Sequence, residues 1–302
     1  MALDRAEQIL RAQPGSAFTH PGATIFEDQA GHFWGILETR DYMRARYGVV
    51  ESVLKINTLP AVQTAFDHIM DMLRLCRSDN MGVRYQAPAL FLRLGKDQEC
   101  YDFIKWWATS DPDGTYDWGN MDLPYCNIKN ADVFENVDPF VKRFASLSHA
   151  IALLLIKIRL LLDLKALQNS SLLKKKVPPE LIDNIRVHIP ASTIIIGNKD
   201  IIESKDQTPL IEKLELQVVD LYTFVDTTNP YFFESLLQPE DDLKARPEYH
   251  SSGSVQEMQL YLQHNYASWA ETLGAIEMIQ EMSDYISANL SCDDRNCFLS
   301  RT

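Results

Sequence analysis

Residues 149–168 read HAIALLLIKIRLLLDLKALQ, and this stretch constrains the chain more than any other. At helical spacing its apolar side chains cover nearly the whole circumference. A helix with no polar face must sit at the centre of a core, with other helices packed around it. The most apolar run, Ile151–Leu164, is interrupted by Lys157, Arg159 and Asp163. It also falls short of the roughly 20 residues that a membrane span requires. A buried helix of a globular core is therefore expected, with no membrane insertion.

The surrounding sequence repeats the helical signal. Glycine is scarce, with 12 in 302 residues, and strand-like alternation is rare. Residues 36–56 form a first amphipathic stretch, and Pro60 opens a second that runs to Leu75. In the second, Val62, Phe66, Ile69, Met70 and Leu73 recur at three-and-four spacing. A short helix over Ala87–Leu94 ends at Gly95, and Asp97 starts another through Trp107. The central helix extends from about Val141 to Gln168, and Lys174–Lys176 with Pro178-Pro179 separate it from the next. Residues 206–228 form a further helix broken at Asn229-Pro230. A polar loop, 239–254, precedes two final helices over 255–290 that meet near Trp269–Gly274. No composition shift marks a linker.

The expected architecture is therefore all-α: antiparallel helical pairs in one domain, 33–290, around the central helix. An N-terminal segment, 1–32, precedes it and a tail, 291–302, follows. Leu94-Gly95 before an aromatic-rich helix suggests a repeat of tetratricopeptide or HEAT type. The regular recurrence of about 34 residues that marks the tetratricopeptide family is missing.

Residues 110–137 break the pattern with Asp111-Pro-Asp-Gly, Gly119-Asn120 and Pro124, interleaved with Tyr116, Trp118, Tyr125 and Phe134. Loops of this length are uncommon in compact domains. Aromatic packing makes this one either a structural strap or a lid.

Acidic residues number 42 against 29 basic ones, a formal charge of −13 that disfavours nucleic acid and anionic lipid as partners. Lys157, Arg159 and Lys165 outnumber Asp163 in the central helix, whereas acid concentrates in segments such as 111–122, 132–138 and 240–242. Lys157 and Lys165 are expected to reach outward along their apolar stems. Cysteines 76, 100, 126, 292 and 297 are odd in number and fit reduced thiols. The opening MALDRAEQILRAQPG lacks the apolar core of a signal peptide. A cytoplasmic location is expected.

Several stretches carry a family resemblance: RLCRSDNMGVR (74–84), LRLGKDQECYDFIKWWA (92–108), DWGNMDLPYCNIKNADVFE (117–135), KIRLLLDLKALQNS (157–170), LIEKLELQV (210–218) and GSVQEMQLYLQHNYASWAETLGAIEMI (253–279). Together they resemble a group of fungal proteins often described through an attached MYND-type zinc finger. The resemblance implies a helical protein of fungal type, cytosolic or nuclear. The finger itself needs clustered Cys and His ligands at zinc spacing, which this chain lacks. No metal and no cofactor is expected.

Motifs of known chemistry fail in turn. Asp111-x-Asp113-Gly114 is not a calcium loop, because the glycine comes too early and no closing Glu follows. No glycine-rich phosphate loop, nucleophile elbow or dinucleotide fingerprint is present. Two constellations remain. His149, Arg159 and Asp163 share one stripe of the central helix and are candidate catalytic groups. Their structural alternative is an ion pair between neighbouring turns, since Arg159 and Asp163 are four residues apart. Tyr101, Trp106, Trp107, Trp118 and Trp269 are candidate ligand-binding aromatics, with core packing as their alternative. Trp106 and Trp107 point about 100° apart on a helix, so one is expected to face the core and the other the loop around Trp118. A turn rich in charge, Arg74 to Arg84, offers Asp79 or Asn80 as a helix cap.

Two functions follow. The first is a helical scaffold that binds a partner, plausibly a basic protein segment. The second is a cofactor-independent cyclase or pericyclase of fungal secondary metabolism, for example a [4+2] cycloaddition on an apolar terpenoid- or polyketide-like small molecule. There an aromatic pocket would hold the substrate and Arg159 or His149 would polarise it.

Overall fold

The computed structural model describes residues 2–12, 25–111, 113–143, 145–172, 186 and 188–289. The Lys174–Lys176 and Pro178-Pro179 boundary, Cys292 and Cys297, and the tail 291–302 lie outside the described residues. The architecture is all-α; among the described residues the β features reduce to an isolated bridge between His32 and Cys76. The chain divides into two compact units, Met1–His149 and Ala150–Thr302. No linker separates them in sequence, because the division falls inside a helix.

The first unit contains α1 (Ala2–Ala12), α2 (Ile25–Asp28), α3 (Arg40–Leu54), α4 (Leu59–Leu75), α5 (Ala87–Arg93) and α6 (Asp97–Thr109). Helices α3 to α6 pack consecutively, each on the next. Of the stripe expected on α4, Val62, Phe66, Ile69 and Leu73 are buried, whereas Met70 stays half-buried and Ala65 and Met72 complete the enclosed face. Helix α3 starts at Arg40 rather than near residue 36, for a local reason. The Thr39 hydroxyl donates to the carbonyls of Phe33 and Ile36, winding residues 33–39 into two 3-10 turns before the α-helix begins. Helix α5 ends as its glycine requires. Gly95 takes φ +68, its N–H donates to Leu92 O and the N–H of Lys96 donates to Phe91 O, the paired bonds of a Schellman motif.

Helix α7 (Leu147–Leu172) begins in the first unit and supplies the second with its most apolar element. Ile151 to Ile156, Ile158, Leu160, Leu164 and Leu167 are fully buried. Lys157 does not reach outward as expected; it is fully buried, since the helix has no solvent face at that position. Lys165 does reach the surface and pairs with Glu215 at 2.8 Å. The unit continues through α8 (Thr193–Ile196), α9 (Lys199–Glu203), α10 (Thr208–Thr228), α11 (Phe232–Leu237), α12 (Val255–Ala270) and α13 (Ala275–Asn289). Helix α12 packs against α11 and α13. Among the described residues no helix is long and apolar enough to cross a membrane.

Candidate functional site

Helix α6 carries Trp106 and Trp107 in its last turns, and residues 110–137 fold back over both. Trp107 stacks on Trp118, with centroids 5.5 Å apart and planes 18° apart. Trp106 meets the same ring edge-on at 6.3 Å and also contacts Tyr116 (5.8 Å) and Tyr125 (4.9 Å). Tyr116 and Trp118 touch at 4.6 Å. Both tryptophans therefore join the loop, contrary to the expected division of labour. Trp106 does so although it is only 3% exposed, because the loop crosses both of their directions and becomes the core there. Trp107, Trp118, Tyr116 and Tyr125 stay half-buried.

Two arginines fix this cluster. Arg84 lies over Trp107 at 4.5 Å and over Tyr85 at 4.8 Å, with an Nη2 bond to the Tyr85 hydroxyl. Arg77 lies over Tyr125 at 5.0 Å, and its Nη1 donates to the carbonyls of Met121 (3.1 Å) and Leu123 (3.3 Å). Asp79 holds the turn between them, accepting from the N–H groups of Val83 and Arg84 at 2.9 Å each. Burial pushes the Asp79 carboxyl up to about 6, against those hydrogen bonds and the Arg84 charge.

The loop is tied along its length. Tyr116 donates to Pro124 O, the imidazole Nε2 of His32 lies 2.9 Å from Gly119 O, and Tyr125 donates to Leu73 O. Gly31 makes room for it: a Cβ there would stand 2.2 Å from the Met121 sulfur, and its φ of +89 disfavours any side chain. Further on, the buried carboxylate of Asp102 accepts the N–H groups of Asn130 (2.8 Å) and Ala131 (2.9 Å). Glu135 accepts from the Tyr101 hydroxyl and pairs with Lys105. These ties make the segment a strap. Burial pushes the Cys126 thiol within it up to about 12, so it stays protonated and inert.

The strap's own charge is lopsided: it carries Asp111, Asp113, Asp117, Asp122, Asp132 and Glu135 against Lys129. Asp113, Asp117 and Asp122 are exposed, and among the described residues none of the three is in an ion pair. Exposed carboxylates thus flank a rigid, half-buried aromatic surface.

The candidate residues fall into separate groups. Trp106, Trp107 and Trp118 come together. His149 stands at the edge of that cluster, its ring 6.0 Å from Phe103 and 5.9 Å from Tyr85 and its Nε2 3.3 Å from Arg84 O. Burial lowers it to about 4, so it is a neutral imidazole in the folded protein. Tyr101 is fully buried with its ring against Phe140, 5.8 Å away. Arg159, Asp163 and Trp269 belong to the second unit. There Arg159 donates from Nε and Nη2 to the Thr272 hydroxyl, at 3.0 and 2.8 Å. Asp163 accepts the N–H groups of Ala191 (3.0 Å) and Ser192 (2.8 Å). Trp269 is fully buried, and its indole N–H has no acceptor among the described residues. Among the described residues no group of three or more His, Cys, Asp or Glu is placed to hold a metal ion.

Sequence reasoning missed Asp102 and Gly31 and placed Arg77 only in the charged turn 74–84, because each acts on residues tens of positions away. The clue available was the acidic, aromatic composition of 110–137 opposite an Arg-rich turn. Comparison with family models, with curated proteins and with solved structures finds no match for this chain.

Proposed function

We propose that this protein is a helical interaction scaffold whose first unit captures a basic segment of a partner protein on the strap. The observation that carries this reading is the set of exposed carboxylates at Asp113, Asp117 and Asp122, outside any ion pair among the described residues, on the same strap that carries Tyr116 and Trp118. Aromatic rings held rigid by one another offer contact area at little entropic cost, as interface anchors do. Carboxylates at the rim add attraction and selectivity for cationic side chains, and they repel nucleic acid. Free thiols at Cys76, Cys100 and Cys126 suit a reducing compartment such as the cytoplasm.

The cyclase reading draws less support. Of its two donors, Arg159 is turned onto Thr272 and His149 has its Nε2 against Arg84 O, while Asp163 accepts two backbone N–H groups.

Calorimetric titration with a lysine- and arginine-rich peptide tests the proposal. Binding should weaken by about tenfold or more between low salt and 0.5 M salt, as screening of exposed charge requires. It should weaken comparably in the Asp113→Asn, Asp117→Asn, Asp122→Asn triple variant. Undiminished binding by that variant sinks the reading.

A further inference from the structure

We propose that the outward face of α10 is a second interaction surface, which takes a cationic amphipathic helix alongside it. The proposal does not rest on the strap, which belongs to the other unit.

Helix α10 (Thr208–Thr228) carries two seams at the three-and-four spacing by which helices pair. The inner seam, Leu214, Val218, Leu221 and Val225, is buried in the second unit. The outer seam, Pro209, Glu212, Leu216, Val219, Thr223 and Asp226, advances by three and four residues in turn, and all six are exposed. Its centre is apolar, with Leu216 70% and Val219 52% exposed. One exposed leucine alone would mean little. Here two apolar residues and a threonine fall in register on a helix whose opposite seam is already filled. From Pro209 to Asp226 the outer seam runs about 25 Å, enough for a partner helix of several turns. An extended peptide finds no sheet edge on a helix.

Charge selects the occupant. Glu212 and Asp226 stand toward the two ends of the seam and Asp220 flanks it. All three are exposed, and among the described residues none is in an ion pair. Lys213 is set against them, and Lys165 is already paired with Glu215. A second copy of the chain fits this face badly. Parallel self-pairing would bring Glu212 onto Glu212 and Asp226 onto Asp226. Antiparallel pairing centred on Leu216 would set Glu212 against Asp220, and centred on Val219 it would set Glu212 against Asp226. Like charges so placed oppose association. A helix with leucine at its centre and lysine or arginine at its ends covers Leu216 and Val219 and meets the three carboxylates.

The test is a fluorescence-anisotropy titration of the full chain into three labelled peptides of equal length. One carries leucine at alternating three- and four-residue spacing among lysine and alanine, the second scrambles that order, and the third replaces lysine by glutamate. The first should bind at least about tenfold more tightly than either of the others. The Leu216→Asn, Val219→Asn double variant changes exposed positions, so its thermal unfolding should stay unchanged while binding of the first peptide falls about tenfold or more. The Asp113→Asn, Asp117→Asn, Asp122→Asn variant should bind that peptide as the parent chain does, which separates this surface from the strap. Equal binding of the scrambled or the glutamate peptide overturns the inference, as does undiminished binding by the double variant. Loss of binding in the strap variant overturns it in favour of the strap. A chain that sediments as a dimer until Leu216 and Val219 are replaced overturns it in favour of a second copy.

Discussion

Each of the two units ties an irregular segment to a helix with the same pair of devices, yet the two fastenings differ in how far they are enclosed. In the first unit Asp102 on α6 accepts consecutive N–H groups from Asn130 and Ala131, while Arg77 donates to carbonyls of the strap. In the second, Asp163 on α7 accepts consecutive N–H groups from Ala191 and Ser192. Arg186 there donates to the carbonyls of Leu167, Ile202 and Ser204. The carboxylates are equally enclosed, at 4% and 7% exposure. The arginines differ: Arg186 is 4% exposed, whereas Arg77 is half-buried under Tyr125. The device in the second unit finishes a core. The one in the first fastens a strap whose Tyr116, Trp118 and Tyr125 stay half-buried. An acid on a central apolar helix therefore reads as a fastening, and binding chemistry belongs where the fastened segment leaves rings and charge outside.

The largest expected effects come from cutting the carboxylate fastenings. Asp163→Ala and Asp102→Ala should each cost about 3 kcal/mol in denaturant unfolding, since two backbone N–H groups lose a buried, charged acceptor. Only Asp102→Ala should also weaken peptide binding. If Asp163→Ala weakens it equally, the functional contrast between the units collapses.

Acid should act next, through His149. Its imidazole titrates near 4 when folded and near 6.5 when unfolded, so between those values the unfolded chain binds more protons. The stability it contributes is complete above about 6.5 and drains away as pH falls toward 4, by roughly 2 kcal/mol between pH 7 and 5. Asp79 works in the opposite sense. Raised to about 6 from 3.8, it favours the folded state at low pH and loses that contribution as pH rises through 6. His149→Gln should therefore remove the acid sensitivity, leaving a chain whose stability holds or rises from pH 7 to 5. If urea unfolding shows that His149→Gln loses as much stability from pH 7 to 5 as the parent chain, the imidazole is not buried neutral.

A smaller cost, about 1–2 kcal/mol, is expected for Arg77→Lys, which keeps the charge and loses the planar contact with Tyr125 and the fork onto two carbonyls. Hydrogen exchange should rise at 117–125 and stay unchanged at 191–204. The smallest stability effect, within about 0.5 kcal/mol, belongs to the Asp113, Asp117, Asp122 triple Asn variant, which touches only exposed positions. Thermal unfolding should barely move although binding falls.

Local physics made much of the fold legible beforehand. The stripe on α4, the glycine end of α5 and the apolar girth of α7 are consequences of residues within a few turns. The starts of elements were harder. Thr39 holds back α3 through carbonyls three and six residues earlier, and α8 and α9 are too short for periodicity to register. Lys157 misled because its long stem suggests escape, while its position leaves no route to water. The site was half legible: aromatic density announced Trp106, Trp107 and Trp118 but could not reveal that Asp102 and Arg77 fasten the strap elsewhere along its length. Nor could helical spacing show that Asp163 answers to Ala191 and Ser192.

The central claim is that partner recognition resides in the strap's rings. The five tryptophans, Trp34, Trp106, Trp107, Trp118 and Trp269, give five indole N–H resonances that report on it separately. During titration with the lysine- and arginine-rich peptide, Trp107 and Trp118 should shift most. Trp269, fully buried in the second unit, should not move. Movement of Trp269 with Trp107 and Trp118 unperturbed would contradict the account.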